Sequence, residues 1–175
     1  MVVRQGENNK QLVECTSRGH QLGWWKHSAS LRSDMAISSS DKGYTMRSDT
    51  RLVGVPDLAR VHDNLNIIWS KRLAQFKDSP SMSSAQLKAD LWADLSQSVG
   101  RKSTSIGPNF GQPGALCTTG LWYSFAEDCV LDGEDVCRLQ GWPQNIAQDN
   151  NFSSTEKREL AGEGFNLGSF SMVYY

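Results

Sequence analysis

Residues 96–125 read SQSVGRKSTSIGPNFGQPGALCTTGLWYSF. Recurrent glycine, with Pro108 and Pro113, forbids a helix over this length: glycine forfeits backbone entropy, and proline lacks the donor a helix interior needs. Regular structure here is confined to short extended pieces, and strands are predicted at 115–118 and 121–125. Segments with helical patterns lie on either side of the stretch.

On the N-terminal side, Leu58, Val61, Leu65, Ile68 and Phe76 fall near one face at 3.6-residue spacing. They predict an amphipathic helix over 57–77, stopped before Pro80. Leu87, Leu91 and Leu95 recur every four residues and predict a second helix over 84–97, capped by Ser83 or Ser84. Before Pro56 no period is sustained. CTSRGHQLGWW and DKGYTMRSDTRLVGV read as short strands with turns at Gly19, Gly23 and Gly43.

The 175 residues suit one domain with a sizeable core, and a mean hydropathy of −0.48 marks a polar chain. No stretch approaches the roughly 20 apolar residues of a membrane span, so no membrane partner is expected. The opening MVVRQGENNK has neither an apolar core nor a small-residue cleavage site, and nothing in it points to secretion. Cys15, Cys117, Cys129 and Cys137 form no CxxC pair and read as reduced, structural thiols. Cys15 and His20 lack a second pair at zinc spacing, so no metal site is expected. His20, His27 and His62 have no Ser or Cys partner in a nucleophilic motif.

The net charge of −1 is unevenly spread: residues 1–51 hold eight Lys or Arg against five acids, and residues 52–175 hold ten against fourteen. The basic third is interleaved with Trp24, Trp25 and Tyr44, a mixture that can track phosphates and stack on bases. Arg101, Lys102 and Ser103, at the entrance of the glycine-rich stretch, could grip a phosphate backbone. For both features a solvated loop face is the alternative reading.

EDVCRLQGWP, residues 134–143, ends a short helix. Asp132 is a candidate N-cap answered by Asp135, and both acids favour the positive end of the helix dipole. Val136 and Leu139 are expected to face inward, Gly141 to supply a positive φ, and Pro143 to prevent resumption. In SSTEKRELAGEGFNLGSFSMVYY, Ser153 and Glu156 give a second capping-box signature, with a helix to about Ala161 before Gly162. The apolar run from Phe165 to Tyr175 closes the sequence without a polar tail, which suggests an incomplete protein.

Together these segments resemble the last two conserved motifs of cytosine-5 DNA methyltransferases. In that family a helix reading like RECARLQGFP is followed, 15 to 25 residues later, by one ending in a glycine-containing GNAVPVPVA or looser variant. EDVCRLQGWP and LAGEGFNLGSF are similar to these, in the same order, and the likeness covers residues 131–175. The resemblance implies an α+β fold, a helix-rich, loop-rich C-terminal fragment of an α/β, Rossmann-like methyltransferase that lacks most of the central sheet. It makes Arg138, Leu139, Gln140 and Gly141 motif-support residues. Gly162, Glu163 and Gly164 would lie at the S-adenosylmethionine site, and DNA would be the partner. Residues 1–130 would correspond to the target-recognition region, with Arg101, Lys102 and Ser103 facing DNA, and 131–175 to helices returning to the catalytic domain.

The sequence departs from the family at Glu134, where Arg is usual, at Asp135, where Glu is usual, and at Glu163, where Asn is usual. By the resemblance, a carboxylate at 163 would place negative charge near the methyl donor's site, where the family has a neutral amide. The family's Pro-Cys nucleophile, which attacks C6 of a flipped cytosine, is absent, as are its Glu-Asn-Val segment and its early glycine-rich turn. No catalytic residue is therefore assigned. The alternative is a non-catalytic DNA- or protein-interaction domain that keeps these motifs only as caps and turns.

Overall fold

The computed structural model describes residues 24–34, 36, 43–78, 81–96 and 116–164. The chain divides into two compact units, one comprising Met1–Pro113 with Trp122–Val130 and the other Gly114–Leu121 with Leu131–Tyr175. Among the described residues the fold is α+β: six α-helices, one 3-10 turn and a three-stranded antiparallel sheet.

In the first unit, helix α1 spans Trp24–Asp34, the 3-10 turn Tyr44–Met46, and helix α2 Ala59–Gln75. Short strands had been expected around the tryptophans and Tyr44. Instead Trp24 and Trp25 open a helix, Tyr44 sits in a 3-10 turn, and among the described residues of these segments only Val53 makes a bridge, parallel to Cys129. Residues 15–23 and 41–42 of that expectation lie outside the described residues. Arg32 on α1 pairs with Asp63 on α2, tying the two helices.

Of the predicted stripe, Val61, Leu65 and Ile68 are buried on α2 while Leu58 and Phe76 become its half-buried caps, and burial extends further to Ile67, Trp69, Asn64 and Asn66. The two asparagines show why. Asn66 Oδ1 accepts from the Thr45 amide at 3.1 Å on the side of the 3-10 turn, and Asn64 donates to the Asp94 carbonyl at 3.3 Å on the side of the sheet. A helix covered on two sides buries more than one stripe. Gly43 lets the turn approach: its φ is 45°, and a Cβ there would stand 3.0 Å from Asn66 Oδ1.

The second predicted helix is cut short. Helix α3 covers only Ser84–Lys88; Ser83 is its N-cap and shares a capping box with Gln86. Asp90 then takes a left-handed φ of 56°, and the chain becomes strand β1, Trp92–Asp94. Leu91, Ala93 and Leu95 are buried in alternation, the period of a strand rather than a helix. β1 pairs with β2, Trp122–Ser124, with Ala93 opposite Tyr123, and β2 pairs with β3, Cys129–Val130. Of the two strands predicted in the glycine-rich stretch, the second is β2. The first is not formed at 116–118, where the chain turns instead.

The core of this unit is aromatic. Tyr44, Trp69, Tyr123 and Phe125 pack with ring centroids between 4.7 and 6.4 Å apart. Because tyrosine brings a hydroxyl inside, a buried polar chain is needed. Tyr44 and Tyr123 share a hydrogen bond of 3.0 Å, and Tyr123 donates to Asp128 Oδ1. The same buried carboxylate accepts from the amides of Arg51 and Leu52, which holds Leu52 at its left-handed φ of 50°. No helix among the described residues is long and apolar enough to cross a membrane.

Candidate functional site

The two segments that carry the family resemblance lie in the second unit. Helix α4, Gly133–Leu139, opens as predicted: Asp132 accepts from the Asp135 amide at 2.9 Å, and Asp135 accepts from the Asp132 amide at 3.3 Å. Gly141 ends it with φ 78°. Pro143 does not keep the chain from resuming a helix: it is the N-cap of a further short one, α5, Gln144–Ala147, because its missing N–H is no loss at a helix start. Helix α6, Ser154–Glu163, starts on the Ser153–Glu156 capping box.

Helix α6 runs past the predicted stop at Ala161, since Gly162 and Glu163 are both helical and Gly164 is the C-cap. Gly162 is a packing residue: a Cβ there would stand 2.3 Å from the Thr118 amide nitrogen, so α6 rests directly on the backbone of residues 117–118. Gly133 does the same for α4, where a Cβ would come within 2.1 Å of the Ser154 carbonyl oxygen. Its amide donates to Ser154 Oγ at 2.8 Å. Two helices brought this close need glycine at the contact.

The inward face of α4 differs from expectation. Val136 is buried but Leu139 is 37% exposed, and Cys137 and Gln140 take the inner positions. The α6 backbone explains this, because it offers carbonyl partners where Leu139 was expected to find apolar ones. Gln140 Nε2 donates to the Ala161 carbonyl at 2.9 Å, and Cys137 Sγ lies 3.5 Å from the Lys157 carbonyl oxygen. Burial pushes the Cys137 thiol pKa up, which keeps it protonated and poorly nucleophilic. Arg158 is also buried; it donates to the Leu131 carbonyl at 3.3 Å, and burial lowers its pKa.

The motif residues thus have distinct surroundings. Arg138 pairs with Glu134 one turn earlier on the solvent side, an exposed i,i+4 contact. The Trp142 ring lies 3.4 Å from where a Gly164 Cβ would stand, so the aromatic of the first motif meets the second glycine of the second motif. Glu163 is exposed. Arg101, Lys102 and Ser103 lie outside the described residues. No group of three or more His, Cys, Asp or Glu side chains able to hold a metal occurs among the described residues.

Sequence reasoning missed Gln140 as the link between the helices and the Tyr44–Tyr123–Asp128 chain. A polar residue one turn after Val136 was the available signal for the first. Nothing local announces the second. Compared with protein-family models, with curated proteins and with solved structures, the chain matches none.

Proposed function

We propose that this chain is the C-terminal part of a cytosine-5 DNA methyltransferase-like protein. It would contribute to DNA binding and to the S-adenosylmethionine site, and be inactive alone. The observation that supports the reading is the Gln140–Ala161 hydrogen bond, with Trp142 beside Gly164: the cores of the two resembling motifs pack on each other. On this reading, the Rossmann-like sheet and the nucleophile belong to chain outside these residues. The exposed Leu139, Ile146, Phe152 and Leu160 are apolar surface such a sheet could cover.

A non-catalytic interaction domain is the second reading, favoured by Gly162, whose lack of a side chain is already required by packing on residues 117–118. Calorimetric titration of the chain with S-adenosylmethionine, and with duplex DNA at low and physiological salt, separates the two. Binding of the donor, tightened in Glu163→Asn, is the expected result. No binding to either ligand would leave the interaction domain standing. Absence of encoded Pro-Cys and Glu-Asn-Val segments upstream of Met1 in the transcript would end the enzyme reading.

A further inference from the structure

In the first unit, Arg47 and Lys88 come from different segments and converge on Asp49. Arg47 donates to both carboxylate oxygens, Nε to Oδ1 at 2.8 Å and Nη2 to Oδ2 at 2.9 Å, and Lys88 Nζ reaches Oδ2 at 3.3 Å. Neither cation owes its position to Asp49 alone. The Arg47 guanidinium lies 5.1 Å from the ring centroid of Trp69, and Lys88 Nζ lies 5.4 Å from that of Tyr44. Both rings are buried, so the two positive groups rest on a fixed aromatic platform. The Ser84 hydroxyl accepts from Arg47 Nη2 at 3.0 Å and has its own O–H to donate.

The platform is buried while its anion is exposed. The side chain of Asp49 is 47% exposed, against 13% for Lys88. Asp49 sits two residues from Arg47, on a turn rather than in a helix or strand. A fork of guanidinium donors plus an ammonium and a hydroxyl also matches a phosphate group. The hydrogen bonds from Arg47 and then Lys88 hold the Asp49 carboxyl well below the usual carboxylate range, so it is a full anion at neutral pH.

We infer that Arg47, Lys88 and Ser84 form a site for a phosphate group, and that Asp49 occupies it as an internal competitor until that group displaces it. The site stands on its own geometry and does not rest on the methyltransferase reading. A nucleic-acid backbone and a free phosphate share this chemistry.

The test uses the full chain and two probes, a fluorescein-labelled DNA duplex followed by anisotropy and inorganic phosphate followed by thermal shift. Asp49→Asn is expected to bind at least one probe several-fold more tightly than wild type, and adding Lys88→Met should remove the gain. A gain for DNA alone assigns the site to a phosphodiester, and a gain for inorganic phosphate alone assigns it to a free phosphate. Lys88→Met in the wild-type background should flatten the salt dependence of DNA binding by about one unit if the ligand is DNA. No gain for either probe, or a gain that survives Lys88→Met, overturns the inference and leaves an ordinary surface ion pair. Should Asp49→Asn fail to fold by circular dichroism, Lys88→Met alone decides, and unchanged affinity for both probes is fatal. Donor binding is read separately, so either idea can fail without the other.

Discussion

Gln140 closes two helices at once. Its backbone amide bonds back to Val136 and Cys137 at the end of α4, while its side-chain amide donates to the Ala161 carbonyl in the last turn of α6. The final four carbonyls of a helix have no intrahelical partner, so a buried Ala161 oxygen needs such a donor.

Gln140→Leu keeps the size of the side chain and removes the donor. An unsatisfied buried acceptor costs about 1–3 kcal/mol, and a loss of that order is expected in denaturant unfolding. Leu139→Gln, one position away on the exposed side, should change stability by less than about 0.5 kcal/mol. Equal effects at the two positions would contradict the buried role of Gln140.

The two glycines of the GEG segment should behave differently. Ala in place of a helical Gly gains up to about 1 kcal/mol of propensity, but at Gly162 the new Cβ meets backbone at 2.3 Å, and overpacking losses on the order of 3 kcal/mol win. At Gly164 the nearest atom is 3.1 Å away and the φ of −80° suits any residue, so Gly164→Ala should be mild. Thermal unfolding of both variants checks the order.

Alkaline pH should unfold the first unit through its tyrosines. Burial pushes the Tyr44 phenol up from 10.0 to about 12. Burial and the bond to Asp128 raise Tyr123 as well. A group whose pKa is higher in the folded state binds its proton more tightly there, so its contribution is complete below pH 10 and is lost as pH rises through about 12. Stability measured across that window is expected to fall, and Tyr44→Phe should flatten the fall.

The turn between α3 and β1 depends on a left-handed residue. Asp90 is exposed with φ 56°, so its substitutions report backbone conformation with little contribution from burial. Asp90→Ala should lose about 1 kcal/mol, while Asp90→Gly, which also removes the carboxylate, should remain close to wild type. Chemical denaturation of the pair tests this; equal losses would assign the effect to the charge near Arg72 instead.

Capping was legible because it is local. Asp132 with Asp135 and Ser153 with Glu156 each pair residues three apart, and both boxes form; of the two candidate caps Ser83 and Ser84, Ser83 is the one that caps α3. The stripe Val61, Leu65 and Ile68 was legible for a similar reason, since one helix turn repeats within the segment. The candidate site was legible only in part. Its helix starts and the Gly141 turn were readable, but the burial of Gln140 and the role of Gly162 depend on a neighbour at the far end of a loop.

Leu87, Leu91 and Leu95 mark the boundary between the two kinds of information. A spacing of four lies near the helical period and is also a multiple of two, so the same leucines can line a helix face or one face of a strand. By itself the sequence determined where α3, α4 and α6 begin, that the chain turns at Gly43 and Gly141, and that its cysteines form no regular framework. Only the tertiary structure decided that 91–95 extend: pairing of Ala93 with Tyr123 satisfies their backbone groups across the chain. The same holds for Asp128, whose carboxylate is buried because it gathers Tyr123 and the amides of residues 51 and 52, partners that no local pattern could specify.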